Sequence, residues 1–199
     1  MNFLFRYLRR LKVWVESAAQ RPGAAWTLFA IAFAESSFFP IPPDVLLIAL
    51  AMLIPAKAFR YATISSVGSV LGGIFGYYIG FEFFDLIGQR IIDFYGIERQ
   101  YLYVQTLFEQ HAFTSIAVAG FTPIPYKVFT IAAGAFGIDF TTFVVASAVS
   151  RPARFFLVAG LFYWFGPKIK PFIDKYFEWL SIGFVALLFL GFAVVKWVM

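Results

Sequence analysis

Two short apolar stretches of this chain are each interrupted by the tripeptide Pro-Ile-Pro, and each interruption is followed two residues later by a charge. The first reads Phe39-Pro40-Ile41-Pro42-Pro43-Asp44 and the second Thr122-Pro123-Ile124-Pro125-Tyr126-Lys127. Proline removes a backbone donor and clashes with the preceding helical turn, so both places must interrupt a helix. The apolar arms around them, residues 26–39 and 45–54, then 112–121 and 128–136, are too short to cross a bilayer, which needs about 20 residues. Paired half-length arms around a proline cluster read as re-entrant helical hairpins.

The surrounding composition says why a membrane is the right frame. Of 199 residues, 61% are hydrophobic and 14% charged, against about half and about a quarter in a soluble domain. One core cannot hide that excess. Residues 61–81 and 140–165 are each long enough to span, and residues 179–198 form a third candidate. The first of these carries Gly68, Gly72, Gly76 and Gly80 at a spacing of four, a small-residue stripe that admits another helix closely. Residues 82–111 are the most polar stretch. Helical spacing of Ile91, Ile92, Phe94, Tyr101, Val104 and Phe108 there predicts interfacial helices.

These segments give an all-α polytopic membrane fold in a single domain. Residues 1–25 form an interfacial amphipathic helix, with Arg6, Arg9, Arg10 and Lys12 interleaved with apolar residues. Residues 26–81 form a first repeat, 82–111 a polar connection, 112–166 a second repeat, and 167–199 a basic loop and last transmembrane helix. The shared hairpin-then-span order reads as two inverted repeats, an architecture that places binding sites between halves at discontinuous helices. Trp14, Trp26, Trp164, Trp179 and Trp197 read as interfacial anchors.

Basic residues set the orientation. If each hairpin returns to the side it entered, one face collects Arg6, Arg9, Arg10, Lys12, Arg21, Lys57, Arg60, Lys168, Lys170 and Lys175. The other collects Arg90, Arg99 and Lys196. The richer face is expected to be cytoplasmic, with the N-terminus on it, and the hairpins then enter from opposite sides.

Charges beside the breaks are the candidate chemistry. Glu35 and Asp44 lie on the first hairpin, and Lys127, Arg151 and Arg154 in the second half. A charge near the bilayer centre is costly unless paired or hydrated, and is a functional candidate for that reason. The acids of the first half and the basic residues Lys127, Arg151 and Arg154 of the second are expected to meet in one central cavity. The competing reading makes these charges ion pairs that pin the halves together. Arg151 and Arg154 share a helix face, and as adjacent cations with few acids nearby they invite a phosphate. The competing reading for them is snorkelling to an interface. Asp139 is expected to be the N-cap of the following span, with Thr142 its partner. His111, at the entry to the second hairpin, reads as an interfacial residue.

Several classes fall away. With no Cys and one His, disulfides, thiol catalysis and zinc–thiolate sites are excluded, and neither a metal nor another cofactor is expected. No Gly-x-Ser-x-Gly elbow or metal-binding His pair is present, so an enzyme is not expected. The net charge of +5 sits beside apolar segments, which favours anionic lipid headgroups over nucleic acid.

The run from Glu35 through Pro40 and Pro42 to Asp44, the Gly68/Gly72/Gly76-Tyr77/Gly80 ladder, and the second break with Lys127 resemble the DedA family, also called the VTT or SNARE-associated superfamily. The resemblance covers roughly residues 26–166 and is greatest to its short bacterial YqaA-like branch. It implies two facing re-entrant hairpins, a bacterial inner-membrane location, and flipping or scrambling of a phospholipid or polyprenyl phosphate. It also implies that Glu35 and Asp44 handle protons or substrate. Lys127 lies where many members have the later of two arginines, while the place of the earlier one is Gly120. Arg151 and Arg154 are candidates for that missing charge. A proton-coupled transporter of a small ion or drug is the alternative function, a structural scaffold is another, and a homo-oligomer is compatible with either.

Overall fold

The computed structural model describes residues 23–166 except Pro40, Ile41 and Ile97. The amphipathic segment expected over residues 1–25 lies outside the described residues except for its last three. The basic loop and last helix expected over 167–199 lie outside them, as does Pro40 of the first break.

The described residues are helical, with no strand among them. α1 (Ala24–Ser37) and α2 (Pro43–Leu53) flank the first break, and a 3-10 turn (Pro55–Lys57) leads into α3 (Ala58–Phe83). A π-helical turn (Phe84–Gly88) and two polar helices, α4 (Gln89–Tyr95) and α5 (Glu98–Gln110), form the connection. Then α6 (Ala112–Phe121) and α7 (Tyr126–Ala135) flank the second break, and α8 (Phe140–Gly166) follows. The element order of the first half is thus repeated in the second.

The described ends of the two breaks are alike. α1 ends where the Phe38 amide donates to the Ala34 carbonyl at 2.9 Å, and α6 where the Thr122 amide donates to Val118 at 2.9 Å. Each chain then turns extended at a proline, Pro42 (φ −65°, ψ 125°) and Pro125 (φ −61°, ψ 98°), and resumes as a helix. Pro43 occupies the first helical position of α2, where its missing amide costs nothing. The helices therefore each resume two residues earlier than the apolar arms imply. Asp44 and Lys127 fall within first helical turns rather than in the breaks.

Length separates the helices into two kinds. At 1.5 Å per residue, α1, α2, α6 and α7 extend about 15–21 Å, well short of a hydrocarbon core of about 30 Å. The 29 residues Pro55–Phe83 and the 27 residues Phe140–Gly166 reach about 40 Å and are apolar enough to cross it. The two long helices run antiparallel. Phe59 meets Tyr163 with ring centroids 5.3 Å apart, Ser69 meets Arg151, and Tyr77 meets Phe143 at 5.2 Å.

The core divides along these two helices. The first cluster holds Leu28, Leu46, Leu47 and Leu50 of α1 and α2 against Ala62, Phe155 and Ala159. The second holds Ile116, Tyr126 and Ala133 of α6 and α7 against Tyr77, Phe143 and Ala146. One end of the α3–α8 pair thus carries the first helix–break–helix unit and the other end the second.

The glycine stripe makes this possible on one helix face. A Cβ on Gly68 would sit 2.7 Å from the Phe29 carbonyl oxygen, and one on Gly72 would overlap that of Phe33, both on α1. At Gly80 the obstruction is the Ile131 carbonyl of α7. Gly76 marks the handover: a Cβ there would sit 2.5 Å from Thr130 Oγ1 of α7 and 3.2 Å from the Ser36 carbonyl of α1. Opposite the stripe, Val67, Leu71, Phe75 and Tyr78 are exposed, an apolar face suited to lipid.

The polar connection docks on the second unit. Tyr101 Oη donates to the Ala135 carbonyl at 3.0 Å and Gln105 Nε2 to Phe136 at 3.0 Å, so α5 satisfies carbonyls that the end of α7 leaves free. Tyr101 stacks on Phe84 at 5.1 Å, and Phe108 meets Phe129 and Phe136. Burial lifts the Tyr101 hydroxyl above its usual pKa, with a further push from Glu109. Phe94 departs from the expected buried face and is exposed, while Ile92 is buried. Two residues on a helix lie about 200° apart, so the two cannot share one face. Asp139 caps α8 as its sequence implies: Oδ2 accepts from the Thr142 amide at 2.7 Å. That bond is the main reason its carboxyl is held below the usual range.

Candidate functional site

α8 crosses the junction of the two units and presents Arg151 and Arg154 there, one turn apart. Arg154 grips Asp44 with a two-pronged fork, Nε to Oδ1 at 3.2 Å and Nη2 to Oδ2 at 2.9 Å. Its remaining nitrogen, Nη1, donates to the Thr122 carbonyl at 2.6 Å and to Phe121 at 3.2 Å. One guanidinium therefore joins the start of α2 to the end of α6.

Arg151 makes the parallel connection one turn away. Nη2 donates to Glu35 Oε2 at 2.9 Å, Nε to Ser69 Oγ on α3, and Nη1 to the Gly120 carbonyl at 3.4 Å. Its guanidinium carbon lies 4.8 Å from the ring centroids of both Tyr126 and Phe155. Such aromatic faces attract a cation and shield it from other partners. The Arg151 side chain is 3% exposed and that of Glu35 16%; for Arg154 and Asp44 the values are 15% and 17%.

A hydroxyl network extends from this pair. Ser36 Oγ donates to Glu35 Oε2 at 3.2 Å and lies 2.6 Å from Ser69 Oγ. Thr130 Oγ1 on α7 donates to the Ser36 carbonyl at 3.1 Å, sharing its hydrogen with the Lys127 carbonyl at 2.9 Å. Ser37 Oγ reaches the Gly72 carbonyl at 2.9 Å. Tyr126, buried under Arg151, donates to Ser147 Oγ, which in turn donates to the Phe143 carbonyl. Among the described residues no group of three or more His, Cys, Asp or Glu converges as a metal site would.

The structure brings four of the five expected charges together, in pairs the sequence left open. Glu35 and Asp44 are held by Arg151 and Arg154. Among the described residues Lys127 forms no ion pair with either acid, so the ion-pair reading holds for the two arginines and not for Lys127. The view of Arg151 and Arg154 as adjacent cations with few acids nearby is corrected, since each has its own carboxylate. Both arginines turn inward to these carboxylates. Gly120 has no room for a side chain: a Cβ there would meet Ser150 Cβ at 3.0 Å and Arg151 Cδ at 3.5 Å. The Ser150 hydroxyl lies where a side chain at 120 would project, with Arg151 beside it.

Pro42, Pro123 and Pro125 lie in or next to the breaks. The network of Ser36, Ser69, Thr130, Tyr126 and Ser147 was not singled out from sequence. A signal for part of it existed, since Ser69 follows Gly68 on the small-residue stripe and Ser36 follows Glu35.

Comparison with known proteins places the chain in a family. The model of the VTT domain matches residues 41–164, a span that holds Asp44, Lys127, Arg151 and Arg154 but not Glu35. A protein of Haemophilus influenzae described as uncharacterized is 39% identical over 182 residues, covering 92% of this chain and 94% of its own. A Histophilus somni relative is 35% identical over 179 residues, covering 90% and 93%. A Methanocaldococcus jannaschii relative is 24% identical over 148 residues, covering 74% and 83%. No solved structure is a significant match.

Proposed function

The chain belongs to the VTT-domain (DedA) family of membrane proteins, and from that premise we propose that it is a transporter that flips or scrambles a phosphate-headed lipid, a phospholipid or a polyprenyl phosphate. In this reading α1–α2 and α6–α7 are re-entrant hairpins that enter from opposite faces as inverted repeats, and the headgroup passes between them. The basic-residue bias supports a cytoplasmic N-terminus in a bacterial inner membrane. No covalent step is required, so the protein is a carrier rather than an enzyme.

One observation carries the reading. Two arginines at the junction of the half-length units tie acids of the first to backbone carbonyls at the break of the second. A broken helix with paired charges at membrane depth is the mark of a site built for a polar passenger. Guanidinium groups suit a phosphate because their planar fork matches its oxygens. The apolar outer faces of α3 and α8 leave acyl chains in lipid while the headgroup crosses.

The test is headgroup translocation in proteoliposomes holding a fluorescently labelled phospholipid. The full-length protein should accelerate translocation over protein-free vesicles, and Asp44→Asn and Arg154→Ala should slow it at least tenfold. Equal rates in wild type and both variants would remove this site from the function. A proton-coupled carrier of a small ion or drug is the second reading, favoured by carboxylates standing in the same junction. It predicts solute uptake that follows an imposed pH gradient and ignores lipid composition.

A further inference from the structure

The two arginine–acid pairs look alike in sequence but are held very differently. Arg151 has all three nitrogens engaged, lies between two aromatic rings, and has a side chain 3% exposed. Its partner Glu35 is further bound by Ser36, whose hydroxyl touches Ser69. Freeing this pair would dismantle contacts on α1, α3, α6 and α7 together.

Arg154 has no aromatic cover among the described residues, and its side chain is several times more exposed at 15%. Its neighbours at the two breaks, Val45, Phe121 and Pro123, are exposed. Asp44 sits in the first turn of α2, where the positive end of the helix dipole offsets part of its charge if the arginine leaves. The Arg154 fork, now filled by two carboxylate oxygens, fits two phosphate oxygens equally well.

We propose that Arg154–Asp44 is a releasable latch between α2 and α6, opened when a lipid phosphate replaces the Asp44 carboxylate on Arg154, while Arg151–Glu35 is a fixed pin. The exchange trades one anion for another on the same cation, so Arg154 is never left without an anion, while the freed Asp44 carboxylate keeps the positive end of the α2 dipole. Release frees the start of α2 from the end of α6, and the pin keeps α1 on α3 and α8. The inference rests on the phosphate-headed-lipid reading for the identity of the anion, but not for the existence of two unequal pairs.

Because the chain has no native cysteine, the test is a distance measurement between introduced ones. Spin labels at Val45→Cys and Phe121→Cys report the latch, and labels at Trp26→Cys and Val67→Cys report the pinned pair α1–α3. The full-length protein is measured in micelles with diacylglycerol, which has no phosphate, and with phosphatidylglycerol. The expected result is a single short 45–121 distance with diacylglycerol and a second, longer population with phosphatidylglycerol, while the 26–67 distance stays constant. Asp44→Asn should show the longer population without phosphatidylglycerol, and Arg154→Lys should need at least tenfold more of it for the same shift.

A 45–121 distance that ignores phosphatidylglycerol in the wild type overturns the latch, and that measurement does not depend on any charge variant folding. A 26–67 distance that changes along with it overturns the fixed pin. A lipid-dependent 45–121 shift without headgroup translocation in vesicles would sink the transport reading and keep the latch. Translocation with an unmoving 45–121 distance would do the reverse.

Discussion

Removing Arg151 should cost far more than removing Arg151 and Glu35 together. Their atoms lie 2.9 Å apart. At an effective dielectric of about 20 the attraction is about 6 kcal/mol, most of it offset by the desolvation of both groups. Arg151→Met keeps the bulk but leaves Glu35 with only the Ser36 hydroxyl, and it also deletes the bonds to Ser69 and Gly120. Breaking a buried pair from one side costs about 3–5 kcal/mol, so the variant should fall in that range. Glu35→Gln should cost about 2–3 kcal/mol, because the rings and Ser69 still hold the cation. The double variant removes both charges, and its cost should be about 1–2 kcal/mol rather than the sum. Equilibrium unfolding in mixed micelles, titrated with a denaturing detergent, measures all three. If the single costs add to the double within about 0.5 kcal/mol, the pair is not coupled and the pin does not exist.

Four further outcomes follow from the packing and the caps. Gly72→Val and Gly80→Val should each destabilise by at least about 1–3 kcal/mol, because the added carbons meet the Phe33 and Ile131 carbonyls; thermal unfolding followed by size exclusion reads this. Tyr101→Phe and Gln105→Ala should each cost about 1 kcal/mol and loosen the α5–α7 junction, seen as faster amide exchange at Phe136–Gly137. Asp139, whose pKa is lowered, supports α8 fully above the usual carboxylate range. That support is lost as pH falls through its folded value, so Asp139→Ala should flatten the acid limb of the stability profile measured against wild type. Lys127→Gln should change stability by less than about 0.5 kcal/mol, since Lys127 has no ion pair among the described residues, and it should slow headgroup translocation if its charge meets the passenger.

Much of the architecture was legible because it rests on local rules. A proline cluster between short apolar runs dictates a break, and glycines four apart dictate close approach on one face. The Asp139–Thr142 spacing dictates a cap. Partner choice was not legible for Glu35 and Asp44. Whether an acid meets Lys127 or an arginine of α8 depends on the register of α3 against α8, fixed by contacts such as Tyr77 on Phe143 and Ser69 on Arg151. No local pattern encodes that register. The charges beside the breaks fall in the first turns of α2 and α7, because Pro43 and Tyr126 begin those helices rather than delaying them. The hydroxyl network escaped notice for a related reason: Ser69 and Thr130 look like ordinary small residues until two units converge on them.

The choice of arginine at 151 and 154 follows from a second demand besides the acids. A helix leaves its last four carbonyls without intrahelical partners, and hydrocarbon cannot satisfy them. The two units solve this differently. At the end of α1, the Phe38 and Phe39 amides cover the Ala34 carbonyl and Thr130 Oγ1 of α7 covers that of Ser36. At the end of α6, three consecutive carbonyls, Gly120, Phe121 and Thr122, are met by the guanidinium groups of α8. Arg154 thereby serves four acceptors with three nitrogens, which the single ammonium of a lysine, with three donors at one point, could not reach together. The end of α6 is therefore unfinished without α8, whereas the end of α1 is met by a hydroxyl of α7. That asymmetry makes α8 the element whose position sets both junctions, and it places the reversible contact on Arg154, where an acid and a helix end share one side chain.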